Sequence, residues 1–158
     1  MRKFVLLLII LITSSIYSQD NQVKIDPMLE PFVVEFTEAA INRGIDAMPD
    51  LFKLDYIIVS TNTPQYLGLY NKPRKTVFIN YFVLNDYMMA RTVIFHELFH
   101  ALYEMEHCHG EGLDLMCESK PRGFTFAYYH NDEVWQNELE KSFDRAKELI
   151  ELREIKED

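Results

Sequence analysis

The chain has 158 residues, of which 48% are hydrophobic and 13% aromatic. That is enough apolar material to pack one domain, and it excludes an intrinsically disordered chain. The net charge of −9 argues against nucleic acid and anionic lipid as partners.

The chain opens on MRKFVLLLIILITSSIYSQD. Arg2 and Lys3 are followed by an uninterrupted apolar run from Phe4 to Ile12, then by small and polar residues up to Ser18. This is the layout of a secretory signal peptide. The run falls short of the about 20 apolar residues that a membrane-spanning helix needs, so no stable membrane anchor is expected after cleavage. No cysteine near the cleavage point offers a site for lipid attachment. The expected organisation is a signal peptide over 1–18 and one domain over 19–158, exported to the periplasm or the medium. Loss of Arg2 and Lys3 leaves 14 basic against 25 acidic residues, a net charge of −11.

Asp26-Pro27 has the chemistry of a helix start, with Asp as N-cap and Pro in the first turn. Leu29, Phe32, Val33, Phe36, Ala40 and Ile41 recur at helical spacing, and Gly44 is a natural stop. Leu54 to Ser60 reads as a strand rich in β-branched residues. Thr63-Pro64 marks a turn, and Tyr66 to Tyr70 reads as a second, edge-like strand. A turn at 71–74 precedes a third strand over 75–82, KTVFINYF. Asn85 or Asp86 then caps a long helix running to about Met105. A loop of about twenty residues follows, and loops that long in small domains are usually functional. Asn131-Asp132-Glu133 starts a C-terminal helix with Trp135, Leu139, Phe143, Ala146 and Ile150 on one stripe and charges on the solvated opposite face. The order of elements specifies an α+β domain.

The long central helix carries HELFH at 96–100. Positions four apart lie on one helix face, so His96 and His100 can point two imidazoles at one ion. Glu97 stands beside them without being a ligand. Zinc brings the pKa of a water it binds towards neutrality, and a carboxylate there can take the proton. The pattern therefore names a general base as well as two ligands. The alternative for the pair is two satisfied core histidines. A catalytic zinc needs a third protein ligand and one open position. His107 and His109 are the nearest candidates. In a continuous helix His107 would share the face of His100 but stand about 10 Å further along the axis. It reaches the ion only if the helix ends and the chain folds back, and Ala101 to Glu106 contains neither Gly nor Pro to enforce that. His109 reads otherwise as a solvated loop residue, and His130 as a surface residue at a helix start.

Cys108 and Cys117 are the only cysteines, nine positions apart. In an oxidising compartment they suit a disulfide; the alternative is a pair of metal ligands.

HELFHALYEMEHC followed by LDLMC resembles the metzincin clan of zinc peptidases. That clan combines His-Glu-x-x-His with a third histidine and a downstream methionine in a tight turn beneath the metal. The match is closest to small bacterial metallopeptidases in which six residues separate the second and third histidines, as here. The resemblance covers roughly 93–118. It implies a zincin-like fold with an N-terminal helix, a small mixed sheet, an active-site helix, a Met-turn loop and a C-terminal helix. It also implies one catalytic Zn2+ on His96, His100 and His107, with Glu97 as base and Met116 as the turn methionine. The chain departs from the usual pattern, which has five residues with a glycine among them; Tyr103-Glu104 stands where that glycine would fall. The His107-Cys108 pair is also similar to archaemetzincins, whose further cysteines for a second zinc are missing here. Met116 reads otherwise as an ordinary apolar core residue. Tyr128 or Tyr129 could donate to a developing oxyanion, although a core or rim aromatic is the preferred reading.

The expected function is peptide-bond hydrolysis on a peptide or protein substrate, which the edge-like strand at 66–70 could hold by strand pairing. Two rivals stand beside it. In one, Glu138 on the C-terminal helix supplies the third ligand, as in gluzincins. In the other, the chain is a zinc-bearing interaction module without catalysis, against which the intact Glu97 speaks.

Overall fold

The computed structural model describes residues 22–62, 65–111, 114–119 and 126–157. The expected signal peptide over 1–18 and the expected turn at Thr63-Pro64 lie outside them. The described chain is α+β, with four α-helices and a small mixed sheet. In chain order the elements are β1 (Lys24–Ile25), α1 (Glu30–Ile41), α2 (Met48–Leu51), β2 (Tyr56–Ser60), β3 (Gly68–Asn71) and β4 (Thr76–Asn80). There follow α3 (Tyr87–Tyr103), β5 (Cys108–Glu111), β6 (Cys117–Ser119) and α4 (Asp132–Glu157).

The main sheet has the order β1-β2-β4-β3. β1, β2 and β4 run parallel, and β3 lies antiparallel on the edge beside β4. Ile57, Val77 and Ile79 are fully buried on the helix side. A 3-10 turn over Lys72–Arg74 reverses the chain between β3 and β4, and Lys75 closes it at φ 45°.

Helix α3 is the centre of the domain. Asp86 caps it, its Oδ1 accepting the Met89 N–H at 2.8 Å. The helix is apolar almost all round, with Ile94, Phe95, Leu98 and Phe99 fully buried. Such a helix must be covered on several sides. The sheet covers one side, and α1 and α4 cover the others. Phe36 of α1 sits among Phe95, Phe99, Tyr103 and Phe143, with ring centroids 5.1 to 6.3 Å away. Trp135, Leu139, Phe143 and Ala146 form the buried stripe of α4, while Ile150 is only half-buried.

Several expectations need correction. Asp26-Pro27 does not start α1. Asp26 instead closes a turn, accepting the Met28 N–H at 3.0 Å, and the helix begins at Glu30 with Pro31 in its first turn. Two signals of the same kind lie close together, and the second supplies the Pro. α3 stops at Tyr103, short of Met105. The long loop after it contains a parallel two-stranded pairing, β5 with β6. The two residues of β1 and the four of α2 are too short to show a period. Gly44 does end α1, at φ 79°.

Candidate metal centre

Residues 96 to 100 lie in the last turns of α3, where Phe95, Leu98 and Phe99 are fully buried. With the apolar sides of the helix committed to the core, His96, Glu97 and His100 line a cleft of about 700 Å³. Strand β3 lines it as well, together with Thr92, Val93, Leu115 and Phe126.

The third histidine arrives by a fold-back. Glu104 adopts the left-handed conformation at φ 53°, and its N–H reaches the His100 carbonyl at 3.2 Å. A non-glycine residue so placed costs about 1–2 kcal/mol. Packing holds it there: Met105, the next residue, is buried, and Lys72 pairs with the Glu104 carboxylate at 2.6 Å. That ion pair is exposed at both ends and adds little. The chain then runs back along the cleft. Cys108 N–H donates to the Met116 carbonyl at 2.9 Å, and Cys108 and Cys117 form a disulfide across the β5–β6 pair, with Cα atoms 4.7 Å apart. The cysteines are therefore not metal ligands. Asp114 shapes the turn below, accepting the Met116 N–H at 2.7 Å. Met116 is fully buried beside the site. Arg145 ties this segment to α4 through Asp114 and the Glu106 carbonyl.

The outcome is a triangle of imidazole nitrogens. The Nε2 atoms of His96, His100 and His107 lie 3.0 Å from one another. Nitrogens held tetrahedrally about an ion at about 2.0–2.1 Å stand about 3.3 Å apart, close to this spacing. The tautomers point the same way. His96 Nδ1 faces the Leu115 carbonyl at 2.7 Å, and His100 Nδ1 faces the Met105 carbonyl. A carbonyl only accepts, so each Nδ1 carries the hydrogen and each Nε2 is left with a lone pair. Two lone pairs at 3.0 Å repel. A hydrogen on His107 relieves only part of the triangle, whereas a cation among the three nitrogens satisfies all of it. Burial and the neighbouring His107 also lower the His100 pKa, which favours the neutral, ligating form. The three histidines can hold a metal ion.

Glu97 is buried, and its Oε2 accepts the Tyr70 N–H at 2.8 Å. Burial pushes its pKa up to about 7, against the opposing pull of that N–H. A cation among the histidines would draw it down again.

The remaining sequence candidates fall outside this group. His109 and His130 are exposed. Glu138 is buried in α4, with Oε1 on Lys141 Nζ at 2.6 Å, and is not part of the histidine cluster. Tyr129 packs edge-on to Trp135 at 5.6 Å in the core. The side chain of Tyr128 lies outside the described residues. Sequence reasoning missed the groups that position the site: the carbonyls of Leu115 and Met105, the Tyr70 amide, and Gly68. Backbone groups leave no mark in a sequence. Gly68 did offer one, as a lone glycine in a predicted strand.

Compared with models of protein families, with curated proteins and with solved structures, the chain matches none of them.

Proposed function

We propose that this chain is an exported zinc-dependent peptidase of the metzincin type, with His96, His100 and His107 as zinc ligands and Glu97 as general base. The observation that carries the reading is the Nε2 triangle, 3.0 Å on each side, beside a buried carboxylate in an open cleft. Three imidazoles suit zinc and leave a position open for substrate or water. Zinc so held supplies Lewis acidity and a water acidic enough to be deprotonated near neutral pH. Glu97 Oε2 is engaged by Tyr70, which leaves Oε1 to take the proton from the attacking water and return it to the leaving amine. Edge strand β3, along the cleft, offers an extended peptide a backbone to pair with. Glu138 has a lysine partner, which speaks against the gluzincin alternative. Glu97 has no ion-pair partner among the described residues, which speaks against a purely structural site. The disulfide suits an oxidising compartment. Among the described residues no helix is long and apolar enough to cross a membrane.

The test is hydrolysis of a broad peptide library by the protein stripped of metal with a chelator and then given one equivalent of zinc. Hydrolysis should vanish and return. Tight zinc binding with no cleavage in the library would favour the interaction module.

A further inference from the structure

β3 is an edge strand, and its outward-facing groups can be assigned. The Asn80 N–H donates to the Leu67 carbonyl at 2.9 Å. Bonding alternates along an antiparallel ladder. Leu69 and Asn71, opposite Phe78 and Thr76, therefore also bond to β4, while Gly68 and Tyr70 turn their N–H and C=O groups away from it. The outward Tyr70 N–H is where a further strand would pair. Instead it donates to Glu97 Oε2 at 2.8 Å.

Glu97 reaches that amide only because residue 68 has no side chain. A Cβ on Gly68 would lie 2.6 Å from Glu97 Cγ, 2.8 Å from Glu97 Oε1 and 2.8 Å from Val93 Cγ1. Val93 and Glu97 both line the cleft and are largely buried, so a side chain at 68 must push one or both of them from the place they hold. No lysine or arginine among the described residues pairs with the Glu97 carboxylate. Among the described residues its anchor is one backbone amide, the Tyr70 N–H of strand β3.

We infer that the edge strand seats the general base: Gly68 and the Tyr70 amide are positioning groups that fix Glu97 in the cleft. This rests on the peptidase reading for its catalytic meaning, although the seat itself is structural. It also restricts substrate register. A peptide adding itself to β3 meets the outward-facing Gly68 N–H, Gly68 C=O and Tyr70 C=O, while the Tyr70 N–H is already engaged by Glu97. The substrate residue opposite Tyr70 is held through its own N–H alone.

Two measurements on the zinc-loaded protein test this. The first is amide hydrogen exchange by NMR, comparing wild type with Glu97→Ala. In wild type the Tyr70 amide should be protected although it faces away from β4. In the variant its exchange should quicken at least tenfold, while Leu69 and Asn71 keep their protection and show the sheet intact. A Tyr70 amide that exchanges freely in wild type, or equally slowly in both, overturns the seat. The second is Gly68→Ala. A base misplaced by about 1 Å can cost about 10²-fold in rate, so kcat should fall at least tenfold with KM little changed and one zinc retained. A variant with kcat intact and only KM raised would make Gly68 a wall of the substrate path and overturn its positioning role. The exchange measurement needs no turnover. Protection of Tyr70 that depends on Glu97, in a protein that cleaves nothing, supports the seat and refutes only the peptidase reading.

Discussion

Replacing Glu97 by glutamine should lower peptide hydrolysis by at least about 10²-fold while zinc stays near one per chain. Glutamine keeps the shape of the side chain and can still accept the Tyr70 N–H that holds Oε2 at 2.8 Å. It cannot take a proton near neutral pH. General acid–base catalysis contributes about 10²–10⁴-fold, and among the described residues Glu97 is the one acidic side chain buried beside the three histidines. Metal content should hold because every proposed ligand is untouched. His96→Ala should behave differently, losing metal and activity together. Turnover and zinc content measured on the same preparations decide the matter, and a glutamine variant with full turnover would overturn the mechanism.

His107→Ala should weaken zinc binding by more than the about 10–100-fold typical of removing a supporting group around a metal ligand. His107 Nε2 lies 3.0 Å from the Nε2 atoms of His96 and His100, so its loss removes one corner of the triangle. His109→Ala and Glu138→Ala should leave affinity nearly unchanged. His109 is exposed, and Glu138 is tied to Lys141 in α4. Competition with a zinc-responsive dye on all three variants reads the contrast directly. If Glu138→Ala alone strips the metal, the ligand set is that of a gluzincin.

The parts of this molecule that were legible in its sequence are those with a period or a local rule. HELFH marks a helix and two imidazoles on one face of it because the spacing of four is a property of the α-helix. The α4 stripe, the Asp86 cap and the Gly44 stop follow local chemistry in the same way. The arrival of His107 does not. It depends on Glu104 taking a left-handed backbone that glycine usually takes, and what holds it there is the burial of Met105 in a core assembled from distant segments. No window of sequence around 101–107 contains the residues that bury Met105. The pairing of β5 with β6 was hidden for a related reason. A strand of three or four residues has no alternation to read, and the pair is held by the Cys108–Cys117 disulfide together with the Cys108 N–H bond to the Met116 carbonyl. The seat of Glu97 lies further still from sequence, being made of a backbone amide and a missing side chain on another element.

The most direct test of the three-histidine centre is a crystal structure of the zinc-loaded protein, with the ion located by its anomalous scattering and the ligand distances measured. The expected result is one zinc with His96, His100 and His107 Nε2 at about 2.0–2.1 Å and no fourth protein ligand. An ion bound through Glu138, through Glu97 directly, or away from these histidines would contradict it.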